Sequence, residues 1–316
     1  MAGLNTMDND EDVRPELSVI IPAFREEKVI AGVISRVQKV LDEYGRTYEV
    51  IVVDDGSDDA TFEAARHAGG TVISHPYNIG NGAAVKTGIR SAKGEIMVML
   101  DGDGQHDPAD IPRMIENIGP YDMVVGARNN KSESSTHRDI ANWIYNWLAT
   151  FMCGFMIQDL TSGFRAVKAD IARRLVYLLP NTFSYPTTIT LAVLKSGYSL
   201  AYVPIKTSRR VGKSKIRLLR DGSRFFFIII KIATLFSPMR IFLPVSIIMF
   251  MTGLGYGLYK IFALDGRYGP TSAMLMIMSV VIFMVGLVSE QVAQLRFDRA
   301  DFYLNNKRDN HGQADK

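Results

Sequence analysis

Two acidic clusters carry the most chemistry in this chain. In Leu100-Asp101-Gly102-Asp103-Gly104-Gln105-His106, two carboxylates spaced i, i+2 follow a short apolar run, with glycines between them. Such a pair beyond a strand end can share one cation with the phosphate oxygens of a ligand. Mg²⁺ and Mn²⁺ take oxygen ligands of this kind, usually one or two carboxylates completed by phosphate and water. Gln105 can add a carbonyl oxygen. A plain Asp/Gly surface turn has the same composition, and an EF-hand is excluded because its twelfth position is Pro112. The second cluster, Asp54-Asp55-Gly56-Ser57-Asp58-Asp59, also ends a β-rich run. A carboxylate there can accept a nucleobase N–H, and Ser57 or Asp58 suits the cap of the next helix. A turn with a cap accounts for Ser57 and Asp58. It leaves Asp54 and Asp55 crowded at a strand end, where like charges repel unless they find partners.

Short apolar runs alternating with amphipathic stretches must position these clusters. Strands are expected at Leu17–Pro22, Tyr48–Val53, Thr71–Ser74, Ile96–Leu100 and Asp122–Gly126. Helices are expected at Glu26–Glu43, Asp59–Ala68, Gly80–Ala92 and Pro108–Ile118. This alternation predicts an α/β fold around a mostly parallel sheet, with ligands beyond the carboxyl ends of the strands. Asn78-Ile79-Gly80-Asn81-Gly82-Ala83 lacks the third glycine of a dinucleotide fingerprint, since Val85 stands there. Val85-Lys86-Thr87 lacks the glycine that precedes lysine in a Walker A loop. A tight turn into a closely packed helix is the better reading of this stretch.

The remaining third has a different character. Mean hydropathy is +0.05, and the apolar excess lies near the end. Ile241–Phe262 holds one charge, Lys260, and Thr271–Ser289 holds none. Each is long enough for the ~20 residues that a bilayer core requires. Residues 1–205 contain 19 Lys+Arg against 26 Asp+Glu, whereas residues 206–316 contain 17 against 7. An acidic front half argues against nucleic acid as the main partner, and basic residues before an apolar hairpin argue for a membrane surface. Phe225–Phe236, apolar except for Lys231, is too short to span; with residues 225–240 it reads as an interfacial amphipathic segment. Positive-inside counting places the front domain, the tail at 290–316 and both termini in the cytoplasm of a multi-pass protein of the cell (inner) membrane. The alternative, a buried helical hairpin, is disfavoured because two near-uncharged spans are hard to bury in 316 residues. The apolar hairpin is also compatible with a homo-oligomer. A single cysteine, Cys153, excludes an internal disulfide framework. Residues 1–16, acidic and without an apolar core, read as a flexible tail rather than a signal peptide.

Taken in order, these stretches resemble the family 2 glycosyltransferases of the GT-A fold. The likeness rests on Val19-Ile20-Ile21-Pro22-Ala23-Phe24-Arg25-Glu26-Glu27, Val52-Val53-Asp54-Asp55-Gly56-Ser57, Asn78 to Ala83 and Asp101 to His106. Gly126-Ala127-Arg128, Thr161-Ser162-Gly163-Phe164-Arg165 and Arg209-Arg210-Val211-Gly212-Lys213-Ser214-Lys215 extend it across residues 17–224. The last two motifs, with the two-span tail at 241–262 and 271–289, are similar to polyprenyl-phosphate sugar transferases of the dolichyl-phosphate-mannose synthase type. The resemblance implies that Pro22, Phe24, Glu26, Val53, Asp55, Asp101 and Gly102 hold a nucleotide sugar. It implies Mg²⁺ or Mn²⁺ on Asp101, Asp103 and Gln105. Asp103, Arg128, Arg209 and Lys215 then carry the catalytic charges, and Ser162, Arg165 and Ser214 lie on the acceptor-phosphate side. Arg25 stands where the family usually has asparagine, and Tyr185-Pro186-Thr187-Thr188 where many relatives carry an acidic residue.

The implied reaction is inverting transfer of a hexose from a UDP- or GDP-sugar to undecaprenyl or dolichyl phosphate at the cytoplasmic membrane face. Two other readings stay open at this point. One is a membrane-anchored, non-catalytic nucleotide-sugar-binding scaffold. The other is a polysaccharide synthase, although such enzymes usually have more spans and a Q-x-x-R-W-type helix. Lys213, Arg217, Arg220 and Arg224 read as membrane-surface charges. His106 reads as a supporting residue rather than a metal ligand, and Trp143 and Trp147 as packing residues.

Overall fold

The computed structural model describes residues 14–128, 146–147, 149–151, 153–181, 185–207, 234, 236–263, 266 and 269–312, the last seventeen by backbone only. Seven strands form one sheet: β1 (Leu17–Ala23), β2 (Tyr48–Asp54), β3 (Thr71–Ser74), β4 (Ile96–Met99), β5 (Met123–Arg128), β6 (Arg165–Lys168) and β7 (Leu200–Ile205). Their order is β3-β2-β1-β4-β6-β5-β7. All pairings are parallel except those of β6, which runs antiparallel to both β4 and β5. The expected α/β architecture is the one observed.

β1 is an interior strand between β2 and β4, and all seven of its residues are buried. A strand covered on both faces reads as a continuous apolar run, as LSVIIPA does. Helix α1 (Ile30–Tyr44) covers one face with Ile30, Val33, Ile34, Val37 and Leu41, a single stripe at helical spacing. It stops at Gly45, whose left-handed backbone (φ 75°) returns its N–H to the Leu41 carbonyl. The helices α2 (Thr61–His67), α3 (Asn81–Ser91) and α4 (Ile111–Glu116) follow β2, β3 and β4. Two further strands and two helices, β6, β7, α5 (Ala169–Leu175) and α6 (Tyr185–Lys195), are absent from the sequence expectation. Pro204 is tolerated in β7 because that strand is an edge, bonded only to β5.

The chain divides into two compact units. One contains the sheet. The other contains Thr187–Gly197, the described part of 146–160 and two long helices, α7 (Met239–Ala263) and α8 (Pro270–Gly312). Met239–Ala263 and Pro270–Leu295 have mean hydropathies of 1.8 and 2.4, and only 17% of the apolar window of each is buried within the chain. Ile248, Met251, Tyr259, Met274, Ile277 and Val288 face outward rather than into the chain. The two helices are long and apolar enough to cross a membrane. They pack closely at both ends. A Cβ at Gly253 would stand 2.9 Å from Leu275 Cβ, and one at Gly286 2.6 Å from Phe242 Cβ, the small-residue contact on which helix pairing in lipid relies.

Candidate active site

The site grows out of three adjacent parallel strands. β1, β2 and β4 end together, and their ladder continues into the loops. The Asp55 N–H donates to the Ala23 carbonyl at 2.9 Å, Leu100 N–H to Ile20 at 3.0 Å and Gly102 N–H to Pro22 at 3.3 Å. Pro22-Ala23 is thus flanked by Asp55 on one side and Gly102 on the other. A crevice of about 320 Å³ opens there, lined by Pro22, Phe24, Glu26, Asp55, Asn78, Gly80, Asn81, Asp101, Gly102 and Asp103, among others.

The two crowded carboxylates have partners within the chain. Asp54 accepts bonds from the backbone N–H and hydroxyl of Ser57 and from the Ser74 hydroxyl. It closes the turn. Asp55 accepts from His75 Nδ1 at 2.7 Å, from Ile79 N–H at 3.1 Å and from Gly80 N–H at 2.8 Å. It holds the loop between β3 and α3. That loop lies on the β2 turn so tightly that a Cβ at Gly56 (φ 70°) would stand 2.4 Å from the Tyr77 carbonyl carbon. Only glycine serves there. The expected cap of α2 by Ser57 or Asp58 is not formed. Ser57 serves Asp54 and accepts from Arg25 N–H, Asp58 is taken by the Arg25 guanidinium, and Asp59 accepts from Thr61 N–H instead.

Arg25 has a positive φ of 57°. Asparagine enters that region far more readily than arginine. Here the bidentate bonds to Asp58, both 2.7 Å, and a cation–π contact with Phe24 accompany the conformation.

At the other end of the crevice Asp101 is clamped from below. The antiparallel pairing of β6 with β4 sets Arg165 beside Met99 and lays Gly163 against the carboxylate. Arg165 is fully buried and donates from Nε to the Ser162 carbonyl at 2.7 Å. His106, stacked at an angle on Phe164, places Nε2 3.7 Å from Asp101 Oδ2. Its Nδ1 is buried and has no partner among the described residues. Burial raises the proton affinity of Asp101, but His106, donation from Asn81 and the charge of Arg165 together outweigh it and hold the carboxyl below its usual range. The group stays an anion, and 30% of its side chain remains exposed.

Asp101 and Asp103 therefore present two carboxylates to one crevice. Among the described residues no three His, Cys, Asp or Glu side chains converge on a metal position. A cation here must complete its shell with ligand oxygens, and this donor set fits Mg²⁺ or Mn²⁺ held jointly with a phosphate.

Of the residues expected to hold a nucleotide, Pro22, Phe24, Glu26, Asp55, Asp101 and Gly102 line the crevice. Val53 does not; it is fully buried in β2. Gln105 belongs to the Asp101–His106 turn, its N–H on Asp103 Oδ1 at 3.1 Å. Arg128, the last residue of β5, donates to the Thr161 hydroxyl at 2.6 Å. Ser162 is buried. Arg209, Ser214 and Lys215, like Trp143 and most of Phe225–Phe236, lie outside the described residues. His75, Asn78 and Asn81 join the site without having been singled out as ligand contacts, although Asn78 and Asn81 sit in the turn expected before α3.

Residues 18–176 match Glycosyl transferase family 2, and residues 237–295 match the GtrB C-terminal hairpin. Among curated proteins, an uncharacterised protein of Methanocaldococcus jannaschii is 33% identical over 61% of this chain and 82% of its own length. A dodecaprenyl-phosphate galacturonate synthase of Rhizobium johnstonii is 33% identical, with 52% of each chain covered. An undecaprenyl-phosphate 4-deoxy-4-formamido-L-arabinose transferase of Aeromonas hydrophila is 25% identical over 92% of both chains. A similar solved fold is glucosyl-3-phosphoglycerate synthase of Mycobacterium tuberculosis, crystallised with Mn²⁺, UDP and phosphoglyceric acid (TM-score 0.56, 19% identity, 69% of this chain and 77% of that one). Strand ends, paired carboxylates and apolar hairpin thus coincide with a family match over half the chain, and the protein belongs to glycosyl transferase family 2.

Proposed function

We propose that the protein transfers a hexose, with inversion, from a nucleoside diphosphate sugar to a polyprenyl phosphate at the cytoplasmic face of a membrane. The observation that carries this reading is one crevice with Asp55 at one end and Asp101/Asp103 at the other, in a family 2 domain followed by the apolar hairpin. Asp55 with Pro22 and Phe24 takes the base, and Gly102 lets the ribose and phosphates approach the backbone. Mg²⁺ or Mn²⁺ on Asp101 and Asp103 supplies charge to offset the leaving diphosphate. The lipid phosphate, with a second pKa near ~6, arrives largely ionised, so no carboxylate base is needed. The task left to the chain is to bring two anions together, by orientation and charge. Arg128, Arg209 and Lys215 are assigned to it, with Ser162, Arg165 and Ser214 on the acceptor side. The front domain spans 17–224, the catalytic half and both termini are cytoplasmic, and 225–240 lies in the interface.

Nucleotide release from UDP- and GDP-sugars, with and without undecaprenyl phosphate, tests the reading. Release that needs the lipid phosphate and vanishes with EDTA or with Asp103→Asn supports it. Binding without turnover makes the protein a scaffold, and release without lipid phosphate points to another acceptor. Lys215→Ala and Arg209→Ala, assayed in detergent micelles, lose roughly 10²-fold in rate if they act on the substrates. Normal rates there leave them as headgroup contacts.

A further inference from the structure

Asp55 is nearly enclosed. Only 3% of its side chain is exposed, and the residue is among those lining the crevice. A carboxylate has about four acceptor positions, two on each oxygen. Oδ1 uses both of its positions, on His75 Nδ1 and Ile79 N–H; Oδ2 uses one, on Gly80 N–H. One position remains. His75 is fixed in turn, since a carboxylate only accepts: Nδ1 carries the hydrogen, and Nε2 lies 2.9 Å from the Thr87 hydroxyl on α3. A bond through Thr87 and a 10% exposed ring leave the imidazole no freedom to turn away.

We propose that His75, by occupying a lone pair of Asp55, selects the base of the donor: the single acceptor position left fits the one imide N–H of a uracil and not the two-donor edge of guanine. Guanine offers N1–H and N2–H₂ side by side and needs both carboxylate oxygens. With Oδ1 filled, one of its donors is buried without a partner. Cytosine and adenine present a ring nitrogen lone pair beside their amino group, and the carboxylate repels it. This inference rests on reading the crevice as the nucleotide site, and it narrows the donor from either nucleotide to UDP-sugars. His75 is a positioning residue, acting through Asp55.

Titration calorimetry on the full chain in detergent, with UDP and GDP in MgCl₂, tests it. The wild type should bind UDP at least about tenfold more tightly than GDP, the cost of one unsatisfied buried donor. His75→Ala frees Oδ1 and loosens Asp55, so UDP affinity should fall about tenfold and the UDP:GDP ratio should move toward one. His75→Asn sets Nδ2 where Nδ1 was and should keep the wild-type ratio, which a merely structural histidine would not predict. Thr87→Val, which leaves Asp55 its partners but unties the ring, should weaken UDP several-fold and serves if His75→Ala does not fold. Equal or tighter GDP binding by the wild type overturns the proposal. So does an unchanged ratio in folded His75→Ala. If neither nucleotide binds, it is the crevice itself that has been misread.

Discussion

Gly163→Ala isolates the placement of one carboxylate from the stability of the fold. The added Cβ would stand 2.1 Å from Asp101 Oδ2, 2.7 Å from its Cγ and 2.8 Å from Oδ1. Unstrained carbon contacts lie near 3.5 Å, so the carboxylate must retreat by on the order of 1 Å. Asp101 can move, because its side chain is 30% exposed and the clash falls on its far end. One displaced rotamer costs about 0.5–1.5 kcal/mol, a loss of a few degrees in Tm at most for a domain of this size. A displacement of ~1 Å at a reacting centre costs about 10²-fold in rate. The variant should therefore keep its melting temperature within a few degrees and lose about two orders of magnitude in nucleotide release. The double variant Gly163→Ala/Asp101→Ala removes the clash; it should be no less stable than Asp101→Ala alone and release nucleotide no faster than that variant. Near-wild-type release by a folded Gly163→Ala would refute the reasoning, because the carboxylate would then have no required position.

Three further outcomes are expected. Burial works against the Asp122 charge, but Lys168 at 2.8 Å and the N–H and hydroxyl of Ser199, both at 2.9 Å, more than offset it and hold its carboxyl below the usual range. Its stabilisation is then complete above about pH 4 and is lost as pH falls through the depressed value. Asp122→Asn should cost about 1–2 kcal/mol at pH 7 and progressively less in acid, as chemical denaturation at several pH values would show. Arg25→Asn should raise Tm by about 1–3 °C, since asparagine takes the left-handed backbone more cheaply and the exposed pair with Asp58 is worth little; a clear fall would mean that the pair dominates. The hairpin should keep the protein in the membrane pellet after carbonate washing, and release of active protein by high salt alone would place those helices in a water-soluble core.

Much of the parallel half was legible because its residues are local in sequence. β1 to β4 each combine an apolar run with a turn; Asp54 ends β2, Asp55 follows it, and Asp101 and Asp103 lie within four residues of the end of β4. The other half depends on tertiary context. β6 is four residues with Arg165 and Lys168 at its ends, which reads as surface until β4 and β5 enclose it. α6, YPTTITLAVLK, is buried along most of its length and lacks the polar face that marks a helix. The tie between His75 and Asp55 joins residues twenty positions apart. No local pattern announces it, and only the return of the chain through α2 and β3 brings them together. The capping expectation failed for a related reason: Ser57 and Asp58 found stronger partners across the turn, in Asp54 and Arg25.

The order of elements along the chain also fixes an order in time. Every strand of the sheet is complete by Ile205, and the first apolar helix begins at Met239. A ribosome adding ~5–20 residues per second needs several seconds at the slower rate to make the stretch between them, whereas mixed α/β domains commonly close in milliseconds to seconds. Among the described residues, no strand of the sheet is synthesised after the hairpin. The nascent sheet domain can therefore finish folding before the apolar hairpin has been made. Variants that damage the hairpin should accordingly still yield a folded sheet domain rather than an unfolded chain.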